Sequence, residues 1–267
     1  MDSTYNHGSL VPVNNSVPSK KVFLNNDIFS LLLWGGAIFL PFLILKLHKT
    51  KKDLDKKRKD LTEQIFNPKG IFFDNLSEKQ LYEDLIKYGF DCNDIFYNLY
   101  IPISNNQSNN QEFSQIDLAL LTRVGLIVFE VKSYNGVIRG CVDDETWTAS
   151  YGSGYRQQDY TFQNPIIQNT NHVIWLNKFL KQKIKFFNVV IFYGNCELRY
   201  TKYISNNRSV IHSYDLKHYL DKILFENDSN TFDEQKIIKL LNIANQNGNN
   251  NLIKYKHVQN IKEKYDY

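Results

Sequence analysis

Residues Ser114–Gly136 read SQIDLALLTRVGLIVFEVKSYNG. Two apolar runs flank a short step at Val124-Gly125, the pattern of two β-strands joined by a tight turn. Asp117 lies on the first run, and Glu130-Val131-Lys132 closes the second. A turn of two or four residues centred on Val124-Gly125 sets Asp117 opposite Lys132 and Ala119 opposite Glu130. Same-face residues recur at every second position, so Asp117, Glu130 and Lys132 share one face. Asp117 and Glu130 are then diagonal neighbours, roughly 7–8 Å apart at the backbone. A three-residue turn would move Asp117 to the other face.

Two carboxylates and a lysine on one strand face are what a metal-dependent phosphodiester-cutting enzyme needs. Asp117 and Glu130 could hold Mg²⁺ or Mn²⁺; Mg²⁺ takes oxygen ligands at about 2.0–2.1 Å and keeps several waters. The ion would polarise a scissile phosphate and lower the pKa of a bound water. Lys132 could orient that water or steady the developing negative charge. The same residues also fit an ordinary hairpin with an ion pair at its solvated end.

The surrounding residues resemble a known family, the NERD (nuclease-related) domain, a branch of the PD-(D/E)XK nucleases. Ile116-Asp117 matches its first-strand I-D, and Gly125–Lys132 (GLIVFEVK) matches its G-I-hydrophobic-E-x-K core. Gly136, Gly140 and Trp147 follow in order. Gln163-Asn164-Pro165, Gln168-Asn169 and His172 resemble the family's N-P…Q…H helix, and Glu78–Tyr82 (EKQLY) its opening helix. The resemblance covers residues 74–180 and departs at Gln115, where the family often has an acidic or small residue, and at Ser77, where it often has glycine.

The resemblance implies an α/β fold, a PD-(D/E)XK nuclease-like mixed β-sheet flanked by helices. It implies hydrolysis of nucleic acid, with DNA favoured over RNA, and adds Gln168 and Glu78 to the candidate catalytic set of Asp117, Glu130 and Lys132. Ser77 is a good N-cap, with Gln80 three residues on, and Glu78 also complements a helix dipole. Glu83 is a rival on the same helix. Gln163–Lys183 reads as one helix, capped by Asn164 with Pro165 in its first turn. His172 there reads as a packed or solvated side chain, because no Cys/His cluster supports zinc. A non-catalytic binding or scaffold module with the same fold is the alternative.

Ile28–Leu45 (IFSLLLWGGAIFLPFLIL) is 18 residues without a charge. With Leu47 included it is long enough to cross a hydrocarbon core as a single transmembrane helix preceding the α/β domain. Its Gly-Gly pair and Pro41 are tolerated in membranes. The span runs straight into Lys46, with no small-residue cleavage site. Eight Lys or Arg stand between Lys46 and Asp60, against Lys20 and Lys21 before the span. The positive-inside rule puts the main domain on the cytoplasmic face of the membrane and the short N-terminal tail outside. The expected organisation is a tail (1–27), a bilayer-spanning helix (28–47), a basic juxtamembrane linker (48–72), a nuclease-like domain (73–204) and a C-terminal strand and helical extension (205–267).

The net charge of +4 is mostly juxtamembrane, so tight non-specific binding of nucleic acid by the globular part is not implied. Three scattered cysteines suit a reducing compartment. Elsewhere the pattern predicts strands at Asp94–Ile103, Gly136–Gly140, Glu145–Tyr151, Val189–Tyr193 and Ser209–Ser213. It predicts helices at Asp215–Phe225 and Asp233–Asn245, loops at Ser104–Glu112 and Gly152–Tyr160, and a linker at Asn247–Asn251.

Overall fold

The computed structural model describes residues 47–58, 73, 75–103, 111–199 and 207–265. Residues 47–58 are helical and exposed throughout (α1), as a lysine-rich segment with few apolar positions requires. They fall in a separate unit from the rest. The apolar span 28–47 lies outside the described residues but for Leu47. Among the described residues no helix is long and apolar enough to cross a membrane.

The main unit is mixed α/β. Its elements are α2 (Leu76–Lys87), β1 (Ile95–Pro102), β2 (Phe113–Thr122), β3 (Gly125–Ser133), β4 (Gly136–Arg139), β5 (Thr146–Tyr151) and β6 (Gln158–Gln163). They continue with α3 (Pro165–Leu180), β7 (Phe186–Tyr193), β8 (Cys196–Arg199), β9 (Arg208–His212), α4 (Leu216–Glu226), α5 (Glu234–Gly248) and α6 (Asn251–Tyr265). The central sheet has the order β1-β2-β3-β7-β9. Its first three strands are antiparallel and its last three parallel. A second sheet, β6-β5-β4-β8, is mixed in the same way.

Strands β3 and β7 are apolar on both alternating sets of positions because helices cover both faces. On one face Leu81, Tyr82 and Leu85 of α2 and Leu216, Leu220 and Ile223 of α4 pack on Ile127, Phe129 and Val189. On the other, Leu176 and Leu180 of α3 and Ile237, Leu241 and Ala244 of α5 pack on Ala119, Leu126 and Val128. The second sheet brings Trp147 and Phe162 against Val190 and Phe192. Gly140 serves this third core: a Cβ there would run into the Trp147 ring.

The β2–β3 turn has one of the two expected lengths but comes one residue earlier than the sequence suggested. Thr122 pairs with Gly125 and Leu118 with Phe129, so the turn is Arg123-Val124. Gly125, at φ 140°, passes so close to the Lys185 carbonyl that a side chain would collide with it. Within the ladder the shift of two in the pairing keeps the face of each residue and changes its partner. Continued by one step, this register sets Asp117 across from Glu130 itself, not from Lys132.

Three further expectations change. The N-cap of α2 is Asn75, whose side chain accepts the Ser77 N–H, so Ser77 sits inside the first turn. The segment Gly152–Tyr160 is only partly loop: a 3₁₀ turn at Gly154–Arg156 leads into β6, which pairs with β5 along its whole length. The asparagine-rich run at 247–251 is only partly a linker, because Asn247 and Gly248 end α5 and Asn251 opens α6. Asn245 and Asn247 donate to the carbonyls of Tyr97 (2.7 Å) and Tyr100 (3.2 Å). These amides cover the exposed edge of β1, a row of unpaired backbone groups that would otherwise invite another strand. The chain then turns into α6.

Candidate active site

The regular ladder between β2 and β3 ends at Leu118–Phe129, and the candidate residues gather just beyond it. On the other side of β2, pairing with β1 runs from Tyr97–Leu118 to Leu99–Ile116 and steps over Asn98 and Asp117. Asn98 is left-handed, at φ 48°. The facing of side chains resets here. Leu118 and Leu120 enter one core, whereas Ile116 joins Ala119 and Leu121 in the other. Asp117 therefore sits at an irregular point where the two strands separate. Its Oδ2 accepts the Val131 N–H at 2.8 Å, standing in for a rung of the ladder, and the residue lines a cavity.

Glu130 and Lys132 follow the pleat of β3 onto the α3 face. Lys132 Nζ lies 2.6 Å from Glu130 Oε1 and donates to Gln168 Oε1 at 3.1 Å. Gln168 and His172 are four apart on α3 and so lie on one stripe of it. His172 Nδ1 lies 2.7 Å from Ser114 Oγ, and its Nε2 is 3.3 Å from Glu130 Oε2. That second approach is close enough for an ion pair but is not aligned as a hydrogen bond, and Glu130 Oε2 is buried without any other partner.

Two buried amides fix the helix that carries Gln168. Asn164 Oδ1 accepts the Ile166 N–H, capping α3, while its Nδ2 donates to the carbonyls of Cys141, Val142 and Asp144. Asn169 Nδ2 donates to Val128 O at 2.9 Å and to Asn188 Oδ1 at 2.9 Å. The amide thus ties α3 to β3 and β7 one residue from Gln168. Its structural role was missed from the sequence, although an asparagine among apolar neighbours at a helix–sheet contact is the available signal.

Charge is distributed unevenly. Burial, then the Glu130 and Glu78 carboxylates, push Asp117 well above the usual carboxylate range, against the opposing pull of Val131 N–H and Lys132. Burial also acts to raise Glu130, but Lys132 and His172 outweigh it and hold Glu130 below its ordinary value. Burial alone would lower Lys132, yet Glu130 and Asp117 raise it. Glu130 and Lys132 are thus a charged pair, and Asp117 is the group most costly to ionise.

Glu78, at the third position of α2, is close enough to raise Asp117. Its rival Glu83 pairs with Lys79 at 3.6 Å, and both side chains are more than a third exposed. The structure therefore brings Asp117, Glu130, Lys132, Gln168 and Glu78 into one neighbourhood, with His172 and Ser114 beside them, and leaves Glu83 outside it.

The oxygen donors suit a hard divalent cation. One Glu130 oxygen lacks an aligned partner, and Asp117 is raised by its carboxylate neighbours, which a cation would offset. Among the described residues no group of three His, Cys, Asp or Glu side chains could hold an ion. A cation here would need water or substrate oxygens to complete its shell, a coordination that suits Mg²⁺.

Comparison with known proteins adds a family. Over 104 residues the chain is 28% identical to an uncharacterized protein of Bacillus anthracis, covering 39% of this chain and 47% of that protein. The chain thus spans about half the length of the curated relative it matches. No solved structure matches significantly. A family model matches residues 74–193, from the start of α2 to the end of β7, a stretch containing every residue of the cluster. The model is that of the nuclease-related domain (NERD), to which this stretch is similar.

Proposed function

We propose that the chain is a metal-dependent nuclease that hydrolyses phosphodiester bonds of DNA or RNA, DNA being favoured by the family resemblance. The observation that carries this reading is the convergence of Asp117 and of the Glu130–Lys132–Gln168 chain at the place where β2 and β3 separate. Asp117 and Glu130 hold Mg²⁺ or Mn²⁺, which when bound supplies Lewis-acid activation of the phosphate and of an attacking water. Lys132, with Gln168 fixing the direction of its ammonium, steadies negative charge developing on the phosphate. Glu78 adds negative charge near Asp117 and strengthens the pull of the site on a cation.

The test is cleavage of plasmid, linear duplex, single-stranded DNA and RNA by the full-length protein with Mg²⁺, Mn²⁺ or EDTA. Asp117→Ala and Lys132→Ala proteins run alongside. Metal-dependent cutting lost in both variants supports the reading. No cutting of any substrate, together with no metal-induced rise in melting temperature, replaces it with the non-catalytic scaffold.

Residues 28–47 are proposed as the bilayer anchor, with the nuclease-related domain on the cytoplasmic face. The support is the uncharged span and the basic run after it. Alkaline extraction of membranes and protease protection of tags at either end test this. Release of the full chain by carbonate would sink the anchor.

A further inference from the structure

Two cavities meet at Trp175. The first, about 640 Å³, opens beside Asp117 and Gln168 and is lined by Gln115, Asn171, Trp175 and, from α6, Asn260. The second, about 840 Å³, is lined by Trp175 with Lys178, Lys181 and Lys236. Ile103 and Trp175 belong to both walls, so the cavities are neighbours. Their linings differ in chemistry. The first has several side-chain amides, an indole and no Lys or Arg, and Glu112 and Glu263 also line it. The second has three lysines and no acid.

The lysines of the second cavity need an explanation. Lys178 and Lys181 stand at the C-terminal end of α3, where cations complement the helix dipole. Lys178 also holds its ammonium 4.1 Å over the Trp175 ring. Lys236 is in the first turn of α5, where a cation opposes the dipole. Neither Lys181 nor Lys236 has an ion pair among the described residues. Three like charges from two helices are set around one concavity.

We propose that these cavities form the path of a single, unpaired nucleic-acid strand leading away from the carboxylate cluster. This rests on the hydrolytic reading above and names its substrate class. The base next to the scissile phosphate enters the first cavity, where amides meet its edge and phosphate is disfavoured by Glu112 and Glu263. The strand then crosses Trp175, whose indole becomes a stacking platform once an incoming phosphate draws the Lys178 ammonium off the ring. Its next phosphates reach Lys178, Lys181 and Lys236. A duplex keeps its bases stacked and paired, so it cannot offer a base to this concavity without opening. One wall of the first cavity, from α6, and one lysine of the second, Lys236 of α5, lie outside the stretch that matches the nuclease-related family.

The experiment is fluorescence anisotropy of a labelled 12-nucleotide dT strand, and of a duplex of the same length, with the full-length protein in EDTA at several salt concentrations. The single strand is expected to bind at least tenfold tighter than the duplex. Lys181→Ala/Lys236→Ala should weaken it and flatten the salt dependence by about 0.7 per lysine. Trp175→Ala should weaken it by about tenfold, while Trp175→Phe, which keeps a stacking ring and reports on folding, stays near wild type. Equal or tighter duplex binding, or variants that bind as wild type does, would overturn the path. Cleavage scored in parallel separates the two readings. Strand binding without metal-dependent cutting sinks the nuclease and leaves the path; cutting unaffected by these variants does the reverse.

Discussion

The two halves of the β2–β3 hairpin are built from the same kind of sequence and do opposite things. From Leu118 to Phe129 through the turn, the strands pair in regular order and the apolar residues are buried on both faces. Beyond Leu118 the ladder stops, Asn98 takes a left-handed turn, and a carboxylate stands in for a backbone rung. The closed half spends its side chains on packing. The open half leaves charged groups in a partly desolvated place, where they are costly to the fold and useful to chemistry.

The comparison breaks if the open half is as structural as the closed one. Asp117→Ala should lower metal-dependent cleavage by about 10³-fold while leaving the far-ultraviolet circular dichroism unchanged. Unfolding of that variant instead would make Asp117 a structural residue. In the closed half, Leu120→Ala should cost about 3 kcal/mol of stability in urea melts. Its residual activity should track the folded fraction alone.

Smaller effects sharpen the contrast. Asn169→Ala removes the amide bridging α3 to β3 and β7, leaves the Val128 carbonyl short of a donor and should cost about 2 kcal/mol. It should also lower activity in the folded fraction, because Gln168 is its neighbour. Asp117→Asn should raise the melting temperature by a few degrees at neutral pH, since the amide can keep the Val131 hydrogen bond without the charge. The sign follows from the raised carboxyl. In the native state Asp117 holds its proton more tightly than in the unfolded chain, so its ionisation costs stability as pH rises. The advantage of Asn should therefore be full above the native pKa of Asp117 and vanish below the ordinary carboxylate range. A Tm difference independent of pH would refute that account. Mg²⁺ should raise the Tm of the wild type more than that of Asp117→Asn.

Much of the fold was legible because its signals are local. The alternating and continuous apolar runs marked β1, β3, β5, β7 and β9, and Asn164-Pro165 marked the start of α3. What escaped was whatever answers to distant neighbours. β6 is a largely polar strand, QDYTFQ, with only Phe162 buried, and it exists because β5 offers it an edge. The asparagines before α6 have the composition of a linker, yet at β1 their amides meet backbone carbonyls 147 and 148 residues away in sequence.

By itself the sequence determined which residues share a face along each unbroken stretch of strand or helix. Strand parity survives any shift of register by two, so Glu130 and Lys132 had to project together, with Gln168 and His172 on one stripe of their helix. Only the tertiary structure decided where the ladder ends, which glutamate of α2 approaches Asp117, and that α6 walls the cavity beside it. Those outcomes depend on packing between segments far apart in the chain, and no local propensity encodes the distance between two such surfaces.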